Sequence, residues 1–467
     1  MILSKLCDKD GYDVEISGLC CNSKEVKNGD LFFVIDGYSV NGKNFVDEAV
    51  QNGAVALVCN GKLTDADIPQ VIVEDVRESM ALYAAKFFNY PAESLKTVFV
   101  TGTNGKTSTT HIIAAILRQA GKNVGIIGTL GAKWGENVVK LKHTTPDPIV
   151  LHGLLRQMAD DKIEYVIMEA SAHAIYLKKL TGIRAAVGIL TNITQDHLDF
   201  FGDMENYAKT KLEFINSNAC YYSIVNADNI DFIFKKPCLT FGILKPSDVF
   251  AIDIIEGERC SFVINMLDEI YNINTNLKGL FNVYNILAAA SCCRVLGIRA
   301  NDIAKGVADI AEIAGRFNVY NAKKGKVIID FAHTPDSLTN LLCAVREMKP
   351  KKLICLFGCG GDRDKTKRPI MGSIAERLAD YIVITSDNPR SESPSKITDD
   401  IVGGIKGEKD YITIVDRASA IAYAINLMTD GDIVVIAGKG AEDYIEENGK
   451  KRPYSDKNTL LELIGSD

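Results

Sequence analysis

Short runs of branched apolar residues recur along the chain, and most are followed by a polar, Gly- or Pro-bearing turn and then a stretch of helical periodicity. This order reads as strand, loop, helix. In the first ninety or so residues, 29–37 reads as a strand ending in a Gly turn. Residues 45–53 read as a short amphipathic helix with a Gly stop. Two further strands follow at 54–59 and 70–73, then a helix over 79–90 that Pro91 closes. The middle of the chain repeats the pattern, with strands at 98–100, 123–129, 165–169 and 186–192 and an alanine-rich helix over 286–295. The last third carries four strands, at 327–330, 353–357, 381–385 and 433–437, each running into a polar loop. Strands alternating with helices imply parallel, doubly wound sheets.

The expected fold class is therefore α/β with three domains. These are a small N-terminal α/β domain over 1–93, a central domain over 94–314 with a mostly parallel sheet, and a C-terminal Rossmann-like domain over 315–467. A length of 467 residues suits about three domains. With 47% hydrophobic and 24% charged residues, large packed cores are expected and global disorder is not. A formal charge of −7 gives no electrostatic footprint for nucleic acid. No apolar run reaches the length of a membrane span, and the first residues lack the apolar core of an export signal. The expected setting is the cytoplasm. The 12 cysteines are scattered, with adjacent pairs at Cys20-Cys21 and Cys292-Cys293 and no Cys-x-x-Cys spacing. They read as reduced, buried thiols rather than a zinc site.

The densest chemistry lies at Gly102-Thr103-Asn104-Gly105-Lys106-Thr107-Ser108, between a strand and the apolar helix that begins at Lys106. Loop N–H groups and a helix N-terminus together favour a phosphate. Lys106 adds charge for the outer phosphates, and the Thr107 hydroxyl can ligand Mg²⁺. The loop is a shortened P-loop, since Val100 stands where the usual first Gly would be. Glu169 ends a buried strand, where parallel sheets place their ligands. With Ser171 and His173 it forms a candidate Mg²⁺ and phosphate cluster. His197, beside Asp196, follows another strand end and reads as a ligand. Lys209 and Lys211 read on composition as cations on the solvated face of a helix. Asn282 and Asn285 sit one turn apart and either hydrogen-bond a nucleotide base or cap the helix. The four C-terminal loops should converge on one edge. Their Asp, Arg, His and Lys residues suit a ligand with both amine and carboxylate groups.

Taken together, these motifs resemble the Mur ligases, ATP-dependent amide-forming enzymes of cell-wall precursor synthesis. The resemblance runs over nearly the whole chain in order. Within the family it is strongest to the enzymes that extend UDP-N-acetylmuramoyl-L-alanyl-D-glutamate by a third amino acid. It rests on the 101–107 loop, 143–147, 168–173, 191–199 and 330–336. By that resemblance the central domain is P-loop ATPase-like. Gly102 to Ser108, Asn282, Asn285, Arg316 and Asp330 would bind ATP. Thr107 with Glu169 would hold one Mg²⁺, and His197 would help to hold a second. Lys211, in a Tyr-x-x-x-Lys spacing after Tyr207, matches a lysine that is carbamylated to give a further metal ligand, N6-carboxylysine. Lys106, Glu169, His197 and Lys211 would thus form the catalytic group. Ser23, Thr144, Thr145, Ser171 and Lys179 match positions that hold the UDP-muramoyl substrate.

Arg363, Asp387, Asn388, Pro389, Arg390, Gly438 and Glu442 match an amino-acid pocket. The form Asp387-Asn388-Pro389-Arg390 marks family members that add meso-2,6-diaminopimelate. A guanidinium forks onto the far carboxylate that lysine lacks. The chain departs from the family pattern at Ala441, where a His is usual, at Lys179 and Lys24, where Arg is usual, and at Ile313, Ala314, Phe317 and Asn318 around Arg316. The implied partners are small molecules only, with the protein acting as a monomer. Two other readings are the same ligation with lysine or another amino acid, and a P-loop ATPase or nucleotide sensor that ignores UDP-sugars.

Overall fold

The computed structural model describes residues 1–37, 40–63, 66–267, 269–407 and 409–465. Its contacts group into two compact units interleaved along the sequence. One comprises 1–101, 122–188 and 213–222, the other 102–121, 189–212 and 223–467.

In the first unit, strands Gly18–Cys20, Asp30–Phe33, Ala54–Cys59 and Gln70–Ile72 form an all-parallel sheet in chain order. Alternation splits its side chains between two cores. Leu31, Phe33, Ala56 and Val58 pack with Leu6 and Met80 on one face, while Phe32 and Leu57 pack with Val46 and Ala49 on the other. The helix expected from Ser79 begins at Val76, because the Asp75 carboxylate caps the N–H groups of Arg77 and Glu78. It ends where Asn89 and Tyr90 turn left-handed before Pro91. Later in this unit, strand Tyr165–Glu169 lies between Lys96–Thr101 and Val124–Gly128, parallel to both. Its five residues are all buried, as a central parallel strand requires.

In the second unit, helix Lys106–Gln119 packs against helices Leu280–Val295 and Ala300–Ala308. The alanine-rich helix starts at Leu280, earlier than expected, so Asn282 and Asn285 lie inside it. The C-terminal sheet has strands in the order Asn318–Ala322, Gly325–Asp330, Asp432–Ala437, Leu353–Phe357, Tyr381–Ile384 and Tyr411–Thr413. Only the first pair is antiparallel. One face packs on helices Pro335–Glu347, Lys367–Leu378 and Pro394–Val402, the other on Arg417–Leu427 and Asp456–Gly465, so the sheet is doubly wound as the pattern implied. All twelve cysteines are free thiols; Cys343 is exposed, Cys21 and Cys238 are half-buried and the rest are buried. Among the described residues, no helix is long and apolar enough to cross a membrane.

Candidate functional site

The phosphate loop is held by the segment that follows strand Ala185–Leu190. Thr103 N–H donates to the Asn192 carbonyl at 2.9 Å and Asn104 N–H to Asn192 Oδ1 at 2.8 Å, while Thr191 Oγ1 donates to the Asn104 carbonyl at 2.6 Å. The two glycines are obligatory. A Cβ on Gly102 would lie 1.9 Å from Thr191 Oγ1 and one on Gly105 2.3 Å from Asn285 Oδ1, and both have positive φ. The Lys106 ammonium bridges the Gly102 and Thr103 carbonyls, each at 2.8 Å. Thr107 Oγ1 accepts from Arg316 Nη2 at 2.9 Å, and the Arg316 guanidinium stacks 4.3 Å over the Phe331 ring. Asp330 accepts from the N–H groups of Phe317 and Ala332 at 2.8 and 2.7 Å. Burial pushes its carboxyl above the usual range, against the pull of Arg316. Ser108 is buried in the first helical turn.

Neither asparagine of the alanine-rich helix caps it; Gly279 holds that position. Asn282 Nδ2 donates back to the Lys278 carbonyl at 2.8 Å, and Asn285 Nδ2 to Asn282 Oδ1 at 3.1 Å. Thr109 Oγ1, on the phosphate-loop helix, reaches Asn285 Oδ1 at 3.4 Å. Of the two readings left open, the capping one fails.

Lys211 overturns the expectation of a solvated face. It is 1% exposed, with its ammonium 4.5 Å over the Tyr207 ring. Tyr207 in turn hydrogen-bonds Thr103 of the phosphate loop at 3.1 Å. Helix Met204–Asn216 therefore presents Lys211 inward, where burial and then the nearby Lys106 charge drive its amine well below the usual lysine range. His197 adopts a left-handed φ of 56° and places Nε2 3.3 Å from Asp196 Oδ2. Burial opposes the charge on Asp196, yet Lys367, with His197 and His333, holds its carboxyl far below the usual range. Lys367 Nζ lies 3.5 Å from Asp196 Oδ1 and is itself buried. Gln195 Nε2 donates to Asp364 and Thr366 at 3.1 and 2.9 Å. Lys367 escaped the reading of the sequence, because nothing in its local pattern marks a helix-start lysine that turns inward.

In the first unit, Glu169, Thr144, Thr145 and Ser171 come together. Both Glu169 oxygens accept from Thr129, from its N–H at 2.9 Å and its hydroxyl at 3.0 Å. Thr129 and Thr144 hydroxyls meet at 3.1 Å. Thr145 Oγ1 donates to the Glu169 carbonyl at 2.7 Å and accepts from Ser171 N–H at 3.1 Å. The Ser171 hydroxyl caps helix Ala172–Tyr176, which carries His173. Lys179 pairs with Asp147 at 2.7 Å. Ser23 donates to Glu48 and is buried.

The four C-terminal loops converge as expected. Gly438 N–H donates to the Asp330 carbonyl at 3.1 Å, and Gly361 N–H to the Asn388 carbonyl at 2.9 Å. Asn388 Nδ2 donates to Glu442 at 2.9 Å, while its Oδ1 accepts from the buried Lys439 at 3.1 Å and from Glu446 N–H at 3.0 Å. Lys439 also pairs with Glu442 at 2.8 Å. Arg390 has a left-handed φ of 52°, pinned by hydrogen bonds with Glu446 and Asn448 of the hairpin Tyr444–Glu447 and Lys450–Pro453. Its Nη1 donates to the Gly361 carbonyl at 2.6 Å. A Cβ on Gly360 would meet Arg390 Nη1 at 3.0 Å and Arg363 Cγ at 3.8 Å, so the two arginines flank one glycine. Pro389 and Asp387 are buried beside them. The cluster offers two guanidiniums next to a carboxylate and an amide, complementary to an amino acid that carries an extra carboxylate.

Three family models match the chain, each described as a part of the Mur ligases: the family's catalytic domain over residues 15–88, the middle domain over 100–293 and the glutamate ligase domain over 315–440. The UDP-N-acetylmuramoyl-L-alanyl-D-glutamate--2,6-diaminopimelate ligase of Syntrophomonas wolfei is 42% identical over 97% of this chain and 95% of its own length. The enzyme of that name from Geobacillus thermodenitrificans is also 42% identical, over 93% of this chain and 92% of its own. A solved structure of a ligase with the same name superposes with a TM-score of 0.69 at 27% identity, covering 100% of this chain and 99% of that one. The Thermotoga maritima MurF ligase in complex with ADP shares the fold, with a TM-score of 0.64 at 21% identity over 96% and 97% of the two chains.

Proposed function

The chain belongs to the Mur ligase family, and on that premise we propose that it joins meso-2,6-diaminopimelate to the D-glutamate γ-carboxylate of UDP-N-acetylmuramoyl-L-alanyl-D-glutamate at the expense of ATP. The observation that carries the choice of amino acid is the placement of Arg390 and Arg363 around Gly360, beside Asn388 and Glu442. A carboxylate does not react usefully with an amine at neutral pH. ATP phosphorylates the γ-carboxylate to an acyl phosphate, the incoming amine attacks that carbonyl, and the tetrahedral intermediate expels phosphate. The protein supplies position and charge. Lys106 neutralises the outer phosphates. Arg316, held over Phe331 and against Thr107, brings a second cation to the same loop.

Mg²⁺ suits the donors available. Among the described residues no three carboxylate, His or Cys side chains form a cage. Mg²⁺ characteristically takes one or two protein ligands and completes its shell with phosphate oxygens and water. In this reading Thr107 with Glu169 would hold one Mg²⁺ and His197 would help to hold a second, with a carbamylated Lys211 as a further ligand, and the ions would offset phosphate charge. The depressed amine of Lys211 supports the modification, since only a neutral amine adds CO₂ to form a carbamate. In this reading residues 1–93 take the UDP moiety, 94–314 ATP and 315–467 the amino acid. The enzyme works as a cytoplasmic monomer.

The test is phosphate release from ATP, Mg²⁺ and the UDP-muramoyl dipeptide, with meso-diaminopimelate or L-lysine as the amine. Release with diaminopimelate alone is expected. Release with lysine as readily would discard the role given to Arg390. Release that ignores the dipeptide would discard the ligase itself.

A further inference from the structure

Arg417 opens helix Arg417–Leu427 and is 1% exposed, yet no step above uses it. Its Nε and Nη2 donate to the two oxygens of Asp456, both at 2.8 Å. Nη2 also donates to the Ala437 carbonyl at 2.9 Å and Nη1 to the Ser386 carbonyl at 3.2 Å. Those carbonyls immediately precede Gly438 and Asp387, the first residues of two pocket loops. The strands that deliver them, Asp432–Ala437 and Tyr381–Ile384, are not neighbours, because Leu353–Phe357 lies between. Ladder hydrogen bonds reach one strand across, roughly 5 Å, so no ladder bond fixes the spacing of these two ends directly. A planar guanidinium with five donors spans the gap. The fit is close: a Cβ on Gly438 would lie 2.8 Å from Asp387 Oδ2 and 4.0 Å from Arg417 Nη2. Despite its burial, Asp387 is kept charged by Lys439 and Arg417. A buried ion pair is a poor source of net stability compared with apolar packing, so this one makes better sense as a device that sets geometry.

We propose that Arg417 is a positioning residue of the amino-acid pocket: by holding the Ser386 and Ala437 carbonyls on one guanidinium, it fixes the gap between the 387–390 and 438–442 loops and thereby the affinity for the incoming amino acid. The proposal rests on the reading that these loops bind that amino acid.

Two full-length variants test it. Arg417→Met combined with Asp456→Asn removes both charges of the pair while Lys439 still faces Asp387, and Arg417→Lys keeps the charge but replaces the separate Nη1 and Nη2 donors with a single ammonium nitrogen on a shorter side chain. The wild type is first assayed with diaminopimelate and with lysine. That result judges the substrate reading alone, and the variants are then compared using whichever amino acid the wild type accepts. We expect the KM for that amino acid to rise about tenfold or more in both variants, with the KM for ATP and for the dipeptide within about twofold. Amide exchange, which needs no substrate, should quicken in both pocket loops and stay unchanged at 102–105. A lower unfolding midpoint and a smaller kcat, with the amino-acid KM and loop exchange unchanged, would mean a structural role only and overturn the proposal. Should the double variant fail to fold, Arg417→Lys decides alone.

Discussion

The proposed phosphate loop and the proposed amino-acid pocket are both built at strand ends, but from different materials. The loop is made of backbone. Its shape comes from Gly102 and Gly105, its own peptide groups are clamped by the Asn192 carbonyl and by the Asn192 and Thr191 side chains, and Lys106 folds onto its own loop carbonyls. The pocket is made of buried charge. Buried Lys439 holds the half-buried Glu442 and the amide of Asn388, and with buried Arg417 it keeps the buried Asp387 charged. A backbone site tolerates any partner that presents a phosphate. A side-chain site fixes donors and acceptors one by one, which is what a choice between similar amino acids needs.

Substitutions that sharpen this contrast fall in a clear order. Lys106→Ala should reduce phosphate release by about a thousandfold, since in the proposed reaction it removes the cation that neutralises the outer phosphates; single-turnover kinetics with ATP would check this. Lys211→Ala should lower kcat on the order of a hundredfold, the scale of lost metal-site partners, and recover in part when short carboxylic acids are added. Full activity without them would rule out the carbamate. Arg390→Ala should raise the KM for diaminopimelate by roughly 2–3 kcal/mol, about 30- to 150-fold, and leave that for ATP nearly unchanged. This is the lower part of the range for a lost charge contact, because the side chain is partly exposed. An equal rise in both constants would erase the distinction between the two sites. Asn104→Ala should be the mildest, at about 0.5–1.5 kcal/mol. It removes the 2.7 Å contact with Asp336 Oδ2 while the peptide that the loop needs remains. A thermal melt beside the ATP KM would measure it.

How far the sequence could be read follows the same division. The strands, the Gly turns and the loop at 102–107 announce themselves within a few residues, because φ angles and apolar periodicity are local properties. The convergence of the four C-terminal loops was also legible, since a parallel sheet puts all its C-terminal ends on one edge. What was hidden depends on contacts between distant residues. Lys211 looked solvated because its helix is polar in composition, and only the packing of Tyr207 against Thr103 turns it inward. Lys367 meets Asp196, and Arg417 meets Asp456, across long stretches of chain. A charge destined for burial looks the same in sequence as one destined for water. The early start of the helix at Val76 was missed for a smaller reason: Asp75 is an effective cap, but it follows Glu74 in a stretch that reads as plain loop.

The uneven placement of the thiols has a practical consequence. Burial drives the thiols of Cys21 and Cys238 up to about 12 and 11, whereas Cys343 stands in the open on helix Pro335–Glu347. A maleimide dye should therefore attach at that one position in the native enzyme without any engineered cysteine. The label would sit on the helix whose first turn carries Asp336, the contact of Asn104. The unaltered protein thus comes with its own attachment point for watching, by fluorescence, how that helix responds when nucleotide arrives.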